Sequence, residues 1–232
     1  MRVLAIDTAL AACSAAVLDT LHGGIVASES LPMVRGHAEA LLPLLRRVMQ
    51  AAGLTFPDID RIAVTTGPGS FTGLRVGIAA ARGIALAADK PAVGVSTLSA
   101  YAAPHVADDE RFPVVAAIDA RHSHVYLQVF APGGRSFTAP RLAPLHEAVK
   151  AAAEMPSCIA GSAARLVADA LAAQGSSANG AMPVAVDASP APDIGWVARM
   201  GAVVPPEQAP LKPQYLRAPD AQPQNAAQLP RR

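Results

Sequence analysis

Aromatic side chains are scarce in this sequence: one Trp, three Tyr and five Phe among 232 residues. Charge is scarce as well, at 16% Asp, Glu, Lys and Arg, against about 25% in an ordinary soluble domain. The formal net charge of +1 gives no electrostatic grip of its own on nucleic acid or on an anionic membrane. Only two cysteines occur, Cys13 and Cys158, far apart in the chain. That excludes a disulfide scaffold and a zinc site made of cysteine alone. No uninterrupted apolar run reaches about 18 residues, so no membrane-spanning helix is expected. The first residues imitate a secretion signal until Asp7, whose charge falls in the middle of the apolar stretch; a cytoplasmic chain is expected. What the chain holds in abundance is alanine, 52 residues, within an apolar fraction of 52%. A core of that composition relies on close backbone approach and aliphatic side chains rather than on large rings. The length suits one compact unit or two small lobes.

The chain opens with a short apolar run, Val3 to Ile6, ending at Asp7, then a turn, then a second apolar run over 13–18. This reads as strand, tight turn, strand, with a third strand over 25–30. Residues 36–51 carry helical period, with Leu41, Leu44, Leu45 and Val48 at i, i+3, i+4 and i+7 and Gly53 as the stop. Pro43 lies inside and is expected to kink this helix or restrict its first turn. A buried strand over 61–65 follows, then a glycine-rich loop, then a long helix of small residues over 72–88. A strand over 92–95 and a helix capped by Ser96 complete the first half. Val114 to Ile118, ending at Asp119, and the alternating run 124–130 repeat the opening strand–Asp–turn–strand pattern, which suggests two related lobes. Helices are expected over 143–153, 163–174 and 193–200, with a strand-to-helix turn at 158–162 and a loop over 175–180. Residues 205–232 hold seven Pro and read as an extended tail. The expected units are an N-terminal lobe over 1–104, a smaller C-terminal lobe over 105–204 and the Pro-rich tail.

The most specific feature is Gly67-Pro68-Gly69-Ser70-Phe71-Thr72-Gly73, placed directly before a helix. Such a loop either cradles a phosphate with backbone N–H groups or acts as a rigid turn that sets the next helix. It is neither a Walker motif, since no Lys-Ser/Thr pair follows, nor a G-x-G-x-x-G fingerprint, since the spacing is one residue longer. Asp7 and Asp119 each end an apolar strand before a turn. Carboxylates so placed hold a metal–nucleotide complex between two lobes, or merely bond their own turn. His122 and His124 at i, i+2 would share one face of a strand, but no third ligand stands near and they read as surface residues. Cys13 reads as a small buried thiol.

These residues together resemble the bacterial TsaB (YeaZ) family. The resemblance rests on Met1-Arg2-Val3-Leu4-Ala5-Ile6-Asp7-Thr8-Ala9 with Cys13-Ser14, on Gly36-His37-Ala38-Glu39, and above all on Gly67 through Arg75. Gly94-Val95-Ser96-Thr97-Leu98, Ala117-Ile118-Asp119-Ala120-Arg121 and Pro213-Gln214-Tyr215-Leu216-Arg217 extend it; it is dense over 1–130 and sparse over 131–204. It implies an α/β protein of the actin-like ATPase (ribonuclease H-like) fold, with two lobes each holding a mixed sheet flanked by helices. It also implies a part in making threonylcarbamoyladenosine on tRNA, where the related subunit TsaD carries catalysis and TsaE is an ATPase partner.

The catalytic relative carries a His-x-x-x-His metal pair after its long helix. Here the stretch Val95 to Tyr101 holds no His, and His105 is alone. The implied role is therefore a non-catalytic scaffold or dimerisation subunit with no catalytic residue and no metal of its own, ATP and metal being expected on the partners. TsaD and TsaE are the implied partners, with a homodimer when TsaD is absent, tRNA reached only indirectly and no membrane. The expected interface is His37, Leu41, Leu44, Leu45 and Val48 of the first helix with Leu74, Val76, Gly77, Ala80 and Ala81 of the second. An amphipathic helix must also bury one face on its own sheet, so part of that set is expected to be core. The alternative is a stand-alone ATP-dependent phosphotransferase of the sugar-kinase type, working through a vestigial Asp7–Asp119 cleft.

Overall fold

The structure, a computed structural model, describes residues 1–174 and 182–217; the expected loop over 175–180 and the end of the tail lie outside the described residues. The first half runs β1 (Arg2–Asp7), β2 (Ala12–Asp19), β3 (Gly24–Pro32), α1 (His37–Ala52), β4 (Arg61–Gly67), α2 (Phe71–Ala88), β5 (Ala92–Ser96) and α3 (Thr97–Asp108). The second runs β6 (Val114–Asp119), β7 (His124–Phe130), β8 (Arg141–Pro144), α4 (Leu145–Glu154), β9 (Cys158–Ala160), α5 (Ala164–Ala173), β10 (Ala185–Asp187) and α6 (Ile194–Val203). The order of elements is the same in both. So is the order across the sheets, β3-β2-β1-β4-β5 and β8-β7-β6-β9-β10. The short repeat at Asp7 and Asp119 is thus the visible end of a complete one.

In each sheet the first three strands are antiparallel neighbours and the last two join in parallel through helices. β1 and β2 bury residues on both faces, all but Arg2, because helices cover both sides of the sheet. On one face Leu41, Leu44, Leu45 and Val48 of α1 and Leu74 and Ile78 of α2 meet Leu4, Ile6, Val17 and Val64. On the other, Ile194, Val197 and Ala198 of α6 meet Val3, Ala5, Ala63 and Val93. The edge strand β3 alternates between exposed and half-buried positions.

The two lobes exchange their last helices. Leu98, Tyr101 and Ala102 of α3 bury against Val114, Ala116 and Ile118 of the second sheet, while α6 covers the first. Arg61 at the start of β4 fixes α6 in place, donating to the carbonyls of Gly201, Ala202 and Val204 at 2.9, 3.1 and 3.0 Å. The expected lobe boundary at 104/105 accordingly falls inside α3.

Two strands, β8 and β10, escape the sequence reading, the first of them opening the stretch read as a helix over 143–153. They have four and three residues, too few to display a period of two. Pro43 does not break α1, which runs unbroken from His37 to Ala52. Its ring lies on the solvent side, where water can serve the carbonyl left without a helical donor. α2 is long and apolar enough, by length and composition, to cross a membrane. It lies instead along the first sheet, with Gly73, Leu74, Gly77, Ile78 and Ala81 buried.

Gly201 shows how closely α6 sits on that sheet: a Cβ there would lie 2.3 Å from the Cβ of Ala63. Gly201→Ala is expected to cost about 1–3 kcal/mol in urea unfolding, as overpacking does. Gly83 on the outer side of α2 has no neighbour within 4 Å of such a Cβ among the described residues. Gly83→Ala should therefore stabilise by about 0.5–1 kcal/mol through helix propensity. Equal effects at both positions would contradict the assigned packing.

Candidate functional site

The turn after β1 and the loop after β4 meet face to face. The Ser70 N–H donates to the Ala9 carbonyl at 2.7 Å, and the Thr8 hydroxyl donates to the Gly73 carbonyl at 2.7 Å. Ser70 caps α2 by accepting from the Gly73 N–H at 3.3 Å. Three glycines at four-residue spacing make this contact possible. A Cβ on Gly69 would lie 2.5 Å from the Ala9 carbonyl oxygen, on Gly73 2.0 Å from that of Thr8, and on Gly77 2.5 Å from the Thr8 hydroxyl. The glycine face of the loop is filled by the chain's own backbone. The Cβ side of Gly69 and Gly73 is thus taken by the turn after β1, as the rigid-turn reading of Gly67 to Gly73 requires, while Gly69 and Ser70 also line the interlobe cleft.

Asp7 lies beneath that contact and is fully buried. Its Oδ1 accepts from the Thr65 hydroxyl at 2.5 Å and from the Ala9 N–H at 3.0 Å; its Oδ2 is buried with no hydrogen-bond partner among the described residues. Burial pushes the carboxyl above its ordinary 3.8, opposed by the bonds from Thr65 and Ala9 and by His37. Asp119 ends β6 in the equivalent place but is exposed, accepting the Arg121 N–H at 2.8 Å. It lines a cleft of about 400 Å³ between the lobes with Leu10, Phe71, Arg121, Tyr126 and residues 214–217. Asp7 is not among the lining residues. The expected Asp7–Asp119 pair is therefore corrected: one carboxylate faces the cleft and the other is sealed under the turn.

His122 belongs to a left-handed turn rather than to a strand, with φ of 51°, and its carbonyl lies 2.7 Å from the His124 Nδ1. The expected shared strand face does not form. Among the described residues, no group of three or more His, Cys, Asp or Glu comes together in a way that would hold a metal. Both cysteines are buried and free, and burial, with a smaller push from Asp7, raises the Cys13 thiol to about 11.

The expected partner residues divide sharply. His37, Leu41, Leu44, Leu45 and Val48 are all buried in the chain's own core, and His37 places its Nε2 3.0 Å from the Leu10 carbonyl oxygen. Leu74, Gly77 and Ala81 are buried as well, whereas Val76 and Ala80 are half-exposed. The period that marks an amphipathic helix marks the face its own sheet takes. What faces outward is different. On α1 it is Leu42, 64% exposed, with Pro43, Arg46 and Gln50, which line a shallow groove. Arg47 is engaged within the chain, held bidentately by Glu29 of β3 at 2.7–3.1 Å. On α2 the outward face is Ala79, Arg82, Gly83, Ala87 and Leu86, the last 86% exposed. The two helices lie side by side on the same sheet face, so these residues share one side of the molecule. Sequence reasoning missed Leu42, Leu86 and Gly83. Their one signal is that α2 carries only two charged residues, Arg75 and Arg82, while a single sheet can cover only one side of so apolar a helix.

Two similar lobes with exchanged terminal helices and a cleft between them define an actin-like ATPase fold, the fold expected from the sequence. A family model described as TsaD, tRNA N6-adenosine threonylcarbamoyltransferase, matches residues 13–185. A Pseudomonas aeruginosa structure described as similar to peptidase YeaZ superposes with a TM-score of 0.74 and 31% identity, covering 93% of this chain and 99% of that one. The chain is 42% identical to the Escherichia coli tRNA threonylcarbamoyladenosine biosynthesis protein TsaB over 126 residues, 54% of this chain and 53% of that protein. The match thus spans about half the length of that curated relative. An uncharacterized Mycobacterium bovis protein is 34% identical over 225 residues, 95% of this chain and 94% of that protein. The chain belongs to the TsaB (YeaZ) family.

The buried carboxyl gives a direct test. A carboxyl whose folded pKa lies above its unfolded value favours folding most below the unfolded value, and loses that contribution as pH rises through the folded value. Asp7→Asn keeps the oxygen that accepts from Thr65 and Ala9 but does not titrate. Its melting temperature relative to the parent should rise as the pH moves from about 4 to about 7. A difference independent of pH would contradict the assignment.

Proposed function

We propose that this chain is a non-catalytic subunit of the machinery that makes threonylcarbamoyladenosine on tRNA. In this reading it docks the catalytic subunit TsaD through the outward face of α1 and α2, works with the ATPase TsaE in the cytoplasm, and reaches tRNA only through its partners. Without TsaD, the same face closes on a second copy as a two-fold pair.

The observation that carries this reading is the outward face itself. Leu42, Pro43, Ala79, Gly83, Leu86 and Ala87 lie on two neighbouring helices whose inner faces are already satisfied. Apolar surface of this kind, next to small residues that permit close approach, marks an interaction site. The start of α3 supports the non-catalytic part. Leu98 and Tyr101 fill the interlobe core in the stretch where the resemblance expects the catalytic relative's His pair. ATP and metal belong to the partners in this reading, and with Asp7 sealed the sugar-kinase alternative has no second carboxylate in the cleft among the described residues.

The interface residues differ from the buried set implied by the resemblance, and so does the test. Enlarging Gly77 or Ala81 would injure the fold, since Gly77 faces Thr8 and Ala81 is fully buried. Gly83→Arg and Leu86→Asp should leave the melting temperature within a few degrees of the parent. They should weaken association with TsaD at least about tenfold, or about 1.4 kcal/mol, in size-exclusion chromatography with light scattering. Undiminished association by both folded variants would overturn the interface, and no association by the parent chain would overturn the function.

A further inference from the structure

Beyond α6 the chain returns across the molecule as an extended strap, residues 209–217. The Ala209 carbonyl accepts from the Gly94 N–H at 2.9 Å, on the outer edge of β5. The Leu211 carbonyl accepts from the Arg82 guanidinium of α2. The Gln214 N–H donates to the Thr66 carbonyl at 2.7 Å, at the end of β4. Tyr215 lies against Phe71 with ring centroids 4.9 Å apart, and its hydroxyl accepts from Arg75 Nε at 3.0 Å. Arg217 then reaches the other lobe, donating to the Ala120 carbonyl at 2.9 Å just after β6.

The first lobe is shaped to receive this segment. A Cβ on Gly94 would lie 2.9 Å from the Pro210 carbonyl oxygen, and one on Gly67 3.0 Å from that of Gln214. Two glycines, one of them in the glycine-rich loop, thus have a side facing the strap. The strap passes the middle of β5 at Gly94 and the carboxyl end of β4 at Thr66, and its last four residues form a wall of the interlobe cleft. Of its nine residues only Ala209 is buried. Its first residues are seated in the first lobe, Ala209 buried beside α6 and Leu211 packed against the α1–α2 core, whereas 212–217 are held at discrete points by hydrogen bonds and one aromatic contact, which is the character of an element that opens locally.

We propose that residues 209–217 are a latch between the lobes. It ties β4 and the start of α2 to the turn after β6, and so sets the width of the cleft. Its release widens the cleft and uncovers Phe71 and Arg75 at the beginning of α2, whose backbone stays fixed by the turn after β1. This does not depend on which partner α2 meets.

The test uses the full chain with spin labels at Leu21→Cys in the first lobe and Phe137→Cys in the second. These positions are 81% and 71% exposed, while the native Cys13 and Cys158 are buried. Pulsed electron–electron distance measurements compare this background with Arg217→Ala and with Tyr215→Ala. The expected result is a broader distribution shifted to longer separation in both variants, with circular dichroism unchanged. Distributions matching the background would overturn the proposal. Should Tyr215→Ala fail to fold, Arg217→Ala decides alone, because it leaves every anchor on the first lobe in place.

Discussion

The constraint on which the rest depends is the approach of one backbone to another at the end of β1. The turn carrying Thr8 and Ala9 lies directly on Gly69, Gly73 and Gly77, closer than any side chain would permit. That contact fixes the start of α2, seals Asp7 and aligns β1 with β4. The second lobe repeats the device with different residues. A Cβ on Gly161 would lie 2.2 Å from the Ala117 carbonyl oxygen, and the Ser162 hydroxyl accepts the Asp119 N–H at 3.1 Å. In both lobes the loop after the fourth strand rests on the end of the first. A chain of 52 alanines and nine aromatics builds its core in this way, from backbone proximity with aliphatic filling.

The exchange of α3 and α6 makes the two lobes dependent on one another. Each sheet has one face covered by helices of its own half and the other by the terminal helix of the opposite half or by the layer between them. The inner layer is therefore spent on holding the lobes together. The outer layer is left for contact, and in the first lobe that layer is α1 and α2. A scaffold role sits naturally on such a division, because docking on the outside leaves the interlobe core undisturbed.

Much of the architecture was legible. The repeat at Asp7 and Asp119, the period of α1 and the glycine-rich loop all arise from local pattern, and each marks an element that the structure contains. The site was legible only in part, for a physical reason. Helical period reports which face is apolar, and for Leu41, Leu44, Leu45 and Val48 that face belongs to the chain's own sheet. For α2, where small apolar residues surround just two arginines, period selects the interface poorly. The difference between Asp7 and Asp119 is likewise invisible locally. Both end an apolar strand, but Asp7 is covered by Thr65 and by the loop that follows it, some sixty residues away, whereas the end of β6 opens on the cleft.

The inner faces of α1 and α2 are core, and in the proposed assembly their outer faces meet TsaD. Thiol-labelling rates test it most directly, since both native cysteines are buried. Single substitutions Leu42→Cys and Leu86→Cys report the outer face, and Phe137→Cys reports the far lobe. Addition of TsaD should slow labelling at 42 and 86 and leave 137 unchanged. Unchanged rates at 42 and 86 in a mixture that elutes as one complex would contradict the account.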